Sequence, residues 1–127
     1  MTSAIHAITF DCRDQERIGQ FWADAMGLVD DPSDPNTPGD PLWHLMTPDG
    51  STHLLFIPVP ESKAVKNRVH LDLWPTDCTR DEEVERLLGL GATIVADHRK
   101  PDGTGFVHMN DIEGNDFCVV RSKAERS

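Results

Sequence analysis

Positive charge is scarce in this sequence: 12 lysines and arginines stand against 22 aspartates and glutamates over 127 residues, a formal balance of −10. Such a chain repels phosphate backbones and anionic lipid, so neither nucleic acid nor a membrane surface is an expected partner. No apolar run approaches the roughly 20 residues that a membrane helix needs. The opening Met1-Thr2-Ser3-Ala4-Ile5-His6 lacks a basic stretch followed by an apolar one, and a cytoplasmic location is expected. Paired cysteines are missing as well. Cys12, Cys78 and Cys118 are odd in number and far apart, which suits neither a disulfide framework nor a paired-cysteine zinc motif. No serine sits in a nucleophile elbow, and no glycine-rich phosphate loop is present. What remains is 38% apolar and 27% charged, the make-up of an ordinary folded domain.

An internal repeat organises the chain. A shift of 64 residues lays Leu42-Trp43-His44-Leu45 on Phe106-Val107-His108-Met109, and Asp49-Gly50 on Glu113-Gly114. A shift of 63 lays Asp14 on Asp77, Phe21 on Val84 and Ala25 on Leu88. Two shifts differing by one residue are what a duplicated unit with a single loop insertion gives.

Residues 4–10 alternate in part, with Ile8 and Phe10 on one side, and Val69, Leu71 and Leu73 do the same in the second half; both read as half-buried strands. The opposite face of the second strand carries His70, Asp72 and Trp74. A short amphipathic helix follows each. Behind Asp14 as N-cap come Ile18, Phe21, Trp22 and Ala25, with Gly27 placed to end the helix. In the second half Thr79 and Glu82 form a capping box, Val84, Leu87 and Leu88 supply the stripe, and Gly91 stops it. Further strands are expected at 42–46 and 53–59, then at 92–96, 106–109 and 116–121, with 58–66 as the link between the halves. The proline-rich stretch 30–41 reads as a loop or ragged edge. The order is strand, helix and three strands, twice.

This arrangement resembles the vicinal oxygen chelate superfamily, the glyoxalase, bleomycin-resistance and extradiol-dioxygenase group, and more narrowly its glyoxalase-like domains. The resemblance is carried by Phe10-Asp11-Cys12-Arg13-Asp14 leading into Phe21-Trp22 and Met26-Gly27, by Arg68-Val69-His70-Leu71-Asp72-Leu73, by Leu90-Gly91-Ala92 and by the stretch from Asp111 through Gly114-Asn115-Asp116-Phe117-Cys118 to Val120. It implies an α+β fold, a single domain over 1–127 of tandem βαβββ modules (about 1–62 and 66–122). The modules would form a curved mixed sheet around a concave cleft with the helices outside. A homodimer is also implied. In metal-using members, four side chains on the concave face hold a divalent ion. The resemblance puts those positions on Ala7, on Leu54 or Leu55, on His70 and on Cys118, where glutamate is usual. Alanine and leucine offer no donor, so no intact metal site is expected and no cofactor is required; a divalent metal enters only if His70 finds partners.

The candidate ligand-binding residues are His44, His70, Trp74, Phe106, His108 and Cys118. His70 reads more readily as a polar residue lining a cleft than as a metal ligand. His44 and His108, equivalent under the repeat, face either the cleft or plain solvent. Cys118 reads as a small buried hydrophobe. Asp72 and Asp116 hydrogen-bond a ligand, orient His70 or, more readily, are simply solvated strand acids, and Trp22 belongs to the core. The expected function is binding of a small organic molecule. Its alternatives are a metal-dependent lyase, isomerase or dioxygenase, and a drug-sequestering binder. The acidic balance weakly favours a cationic ligand.

Overall fold

A computed structural model of the chain describes residues 1–126. They form two compact units, Met1–Ser62 and Lys63–Ser127. Together these make a mixed α+β fold with two mixed sheets. No described helix is long and apolar enough to cross a membrane.

In the first unit β1 (Ile8–Cys12) leads into α1 (Gln15–Met26), and β2 (Trp43–Met46) and β3 (His53–Pro58) follow. The sheet order is β1-β3-β2, with β1 parallel and β2 antiparallel to β3. The Asp14 carboxylate accepts from the Arg17 N–H at the start of α1, and Gly27, at φ 68, closes the helix in the left-handed region. Ile18, Phe21, Trp22 and Ala25 are buried along one face of α1, the stripe that the sequence spacing marks. Gly19 lies on that face because Trp43 packs there: an added Cβ would stand 2.5 Å from Trp43 Cδ1.

Three expectations need correction. In the second half, the strand expected from Val69 begins only at Leu71, where pairing with Phe117 starts, and Val69 is 82% exposed. The first strand begins at Ile8, not at residue 4, because its parallel partner β3 offers pairing only from Leu54 onward. The first unit also has two strands after its helix where three were expected. The third is reduced to a single bridge, Val29↔Met46, since the following stretch contains Pro32, Pro35, Pro38 and Pro41, which have no N–H for a ladder.

The second unit contains β4 (Leu71–Leu73), α2 (Arg80–Gly89), β5 (Thr93–Asp97), β6 (Val107–Asn110), β7 (Asp116–Val119) and a last turn of helix, α3 (Lys123–Arg126), that periodicity did not announce. The order is β4-β7-β6-β5. β4 is parallel to β7, and β6 runs antiparallel to both of its neighbours. Residues 63–67, expected as part of a link, belong to this unit because Lys63 Nζ and the Asn67 N–H both bind the Asp116 carboxylate, at 3.2 and 2.9 Å.

The repeat is visible in the ladders. Thr9 and His44 both face Leu55, as Asp72 and His108 both face Cys118. The 63-residue shift therefore relates the parallel pairs and the 64-residue shift relates β2 to β6. The difference arises in one hairpin loop, 47–52 in the first unit against 111–115 in the second.

The capping box of α2 is formed in full: Thr79 Oγ1 accepts from the Glu82 N–H, and Glu82 Oε1 accepts from the Thr79 N–H at 3.0 Å. Thr79→Ala removes one half of it. The expected loss is about 1 kcal/mol in urea unfolding, and Thr79→Ser is expected to recover most of it.

Candidate functional site

The register of the second sheet places Asp72, Cys118, His108 and Ala96 in one row across four strands. Directly opposed residues share a face, so all of these side chains leave the sheet on the same side. The other side carries Phe117, Val107, Met109 and Val119, all buried. Burial of that apolar face fixes the register, and a one-residue slip would exchange the two sets.

Over the polar row lies a cavity of about 290 Å³. Lys66, His70, Asp72, His98 and His108 line it with titratable groups, while Phe106, Cys118 and Val120 make an apolar wall. Four of the residues picked from the sequence thus meet in one place: His70, Phe106, His108 and Cys118. Trp74 and His44 are not among them. β4 stops at Leu73, so strand alternation does not carry through to Trp74, which is 46% exposed. It lines a separate hollow of about 680 Å³, with Lys123 Nζ 5.5 Å and Arg126 Cζ 5.9 Å from its ring centre. His44 lies in the first unit, where its Nε2 is 2.7 Å from His53 Nδ1. His53 Nε2 in turn meets the Gly50 carbonyl at 3.0 Å, and the exposed His6 ring stacks on His53 at 6.0 Å between centres.

Sequence reading missed Lys66 and His98. Lys66 was hidden in a supposed link. His98 lies just past β5, and no periodicity could mark it; a ladder-like bond from its N–H to the Phe106 carbonyl, at 2.9 Å, and a tilted ring contact at 4.7 Å hold it beside Phe106.

His108 is held from behind by Asp116, its Nε2 2.7 Å from Oδ1. Burial alone would raise the Asp116 carboxyl. The Asn67 N–H, His108 and Lys63 outweigh that and hold it down to about 2. Asp116 is therefore a carboxylate at neutral pH and can only accept, so His108 donates from Nε2. The remaining nitrogen, Nδ1, has no hydrogen-bond partner among the described residues. The Cys118 thiol moves the other way: burial pushes it up, Asp72 adds to the effect and Lys66 partly offsets it. A thiol raised in this way stays protonated at neutral pH and is a poor nucleophile.

His70 Nδ1 lies 3.3 Å from Asp72 Oδ1, and the donor atoms of His70, Asp72 and Cys118 all fall within 4.8 Å of one another. This cluster differs from the four-residue set that the family resemblance implies. Ala7 and Leu54 or Leu55 contribute nothing, Asp72 stands outside that set, and a protonated thiol replaces a carboxylate. The residues do not fit the oxygen-rich centre that manganese or magnesium prefers.

The sequence pattern of the glyoxalase-like domain matches residues 7–120. No curated protein matches the chain significantly. Among solved structures, a mutant of the fosfomycin resistance protein FosX from Listeria monocytogenes, complexed with manganese(II) and 1S,2S-dihydroxypropylphosphonic acid, is similar at TM-score 0.71 and 15% identity, covering 99% of this chain and 95% of its own. Lactoylglutathione lyase from Agrobacterium tumefaciens is similar at TM-score 0.61 and 24% identity, covering 96% and 95%. A glyoxalase/bleomycin resistance protein/dioxygenase family enzyme from Burkholderia phytofirmans is similar at 0.65 and 18%, covering 90% and 94%. At these identities the likeness is one of fold.

Proposed function

Because the chain belongs to the glyoxalase-like domain family, we propose that it binds a small organic molecule in the cavity of its second unit, without the four-ligand metal centre of metal-using relatives. The observation that carries this reading is the cavity itself. A hollow of about 290 Å³ combines an apolar wall with several polar groups, the make-up of a small-molecule site. His108 supports it further: its ring lines the cavity with one nitrogen fixed on a buried carboxylate and the other without a partner among the described residues. Binding would work by burial against Phe106 and Val120 and by hydrogen bonds to the imidazoles. Drug sequestration is one role this would serve. Pairing of two copies, which the family resemblance implies, is part of the same proposal, and sedimentation equilibrium checks it.

The test is to fill the cavity. Cys118→Phe is expected to abolish ligand-induced changes in the amide spectrum around Phe106 and Val120 when the protein is screened with a panel of small organic molecules. Hits that survive the substitution, or that map to the Trp74 hollow, would sink the reading.

A metal-dependent lyase, isomerase or dioxygenase is the second reading, and the nitrogen, oxygen and sulfur donors of His70, Asp72 and Cys118 favour it. Such a mixed set with a sulfur suits a tetrahedral ion of the zinc type better than an octahedral one. Elemental analysis of the purified protein separates the two readings. The proposal expects metal well below one equivalent per chain, and a full equivalent that His70→Ala removes would overturn it.

A further inference from the structure

The cavity lining does not share the acid excess of the chain. The sequence as a whole holds 22 acids against 12 lysines and arginines, whereas the cavity lining holds one acid, Asp72, beside one lysine and three histidines. Asp72 is turned to His70, with Nδ1 and Oδ1 at 3.3 Å. Asp116, behind His108, is buried and already bound by Lys63. Lys66 forms no ion pair with any described residue. Its ammonium is nonetheless near enough to the cavity wall to act on the Cys118 thiol. Neither His98 nor His108 Nδ1 has a hydrogen-bond partner from its ring among the described residues. An unpaired lysine and the imidazoles of His98 and His108 therefore line one space, and its single carboxylate, Asp72, lies beside His70. The apolar part of the lining includes Phe106 and Val120, and the Phe106 ring lies tilted against His98, 4.7 Å between ring centres at an interplanar angle of 31°.

We infer that the ligand of this cavity is a small organic anion with a flat apolar body, its charge turned toward Lys66 and the imidazoles of His98 and His108 and its body on Phe106 and Val120. The inference rests on the reading of the cavity as a binding site and goes further by fixing the sign of the ligand. It also reverses the cation preference that overall charge suggests. Net charge acts over distances that salt screens within about 8–10 Å, whereas a cavity wall acts at contact.

Three probes of one shape and different charge test it: benzoate, benzyl alcohol and benzylamine, each titrated into the full chain while the amide signals of Phe106, Cys118 and Val120 are followed. Benzoate is expected to bind at least about tenfold more tightly than benzylamine. Lys66→Gln is expected to weaken benzoate by about tenfold or more and Lys66→Arg to restore it, while the melting temperature stays unchanged because Lys66 is exposed and unpaired. Benzylamine or benzyl alcohol binding as tightly as benzoate overturns the inference and leaves the binding site standing. Silence from all three probes overturns the site reading and the inference with it.

Discussion

Gly105→Ala is expected to destabilise the protein by about 3 kcal/mol or more, a cost in the range of severe core substitutions. Gly105 adopts φ 94, a conformation that side chains resist, and an added Cβ would collide with the backbone carbonyl of His98. Neither partner can yield, because the His98 N–H donates to the Phe106 carbonyl and the Gly105 carbonyl accepts from Arg80 Nη1 at 3.0 Å. Arg80 is 4% exposed, and its Nη1 also reaches the carbonyls of Gly103 and Thr104, so the whole loop is fastened to the start of α2. Gly103→Ala is the internal control. It has a comparable φ of 90, but nothing stands within 4 Å of the added carbon. Its expected cost is about 1 kcal/mol, from conformation alone. Equal losses for the two variants in urea unfolding would show that the close approach to His98 is not what demands glycine. The position also matters for the cavity, since Gly105 sets the path of Phe106 into its wall.

Asp116→Asn is expected to cost about 2 kcal/mol at pH 7, with a characteristic pH dependence. The amide keeps the shape but sets an NH₂ donor among three donors, from His108, Lys63 and Asn67. The folded carboxyl titrates at about 2 against an ordinary value of 3.8, so the unfolded chain takes up the proton first as pH falls. The stabilisation is complete above the unfolded value and is lost as pH drops toward 2. The stability gap between the natural protein and the variant should be flat from neutral pH down to about 5 and should narrow below about 4. A gap that stays constant down to the acid limit would mean that Asp116 acts by packing and not by charge.

Much of the fold was legible because it is written in local chemistry. Asp14 and Gly27 bracket α1, and Thr79 and Glu82 start α2, by bonds that reach only three or four residues along the chain. The repeat was legible because His44 and His108 occupy the same ladder position in both units. The start of β1 was not, since Ala4 and Ile5 look as strand-like as Ile8 and only the reach of β3 excludes them. At the site, alternation predicts that Asp72 and His70 share a face, and the ladder puts Asp72, Cys118 and His108 on one side of the sheet, while His70 stands one residue before β4. Trp74 stands one residue past the end of β4 and lines a different hollow, and alternation is silent on Lys66 and His98 because these come from segments outside the ladders. The anchoring of residues 63–67 by Asp116 is a contact across some fifty positions, which no short pattern reveals.

The pair His44–His53 occupies the ladder positions of His108–Asp116, since Met46 stands opposite His53 as Asn110 stands opposite Asp116. Both couples span 2.7 Å. In the first unit the peptide oxygen of Gly50 obliges His53 to carry its hydrogen on Nε2, leaving Nδ1 as a lone pair, so His44 must offer hydrogen from Nε2. A carboxylate imposes that same orientation on His108. The two halves thus arrive at one imidazole tautomer by different routes, the first borrowing its polarity from a turn in the main chain and the second from a charged side chain.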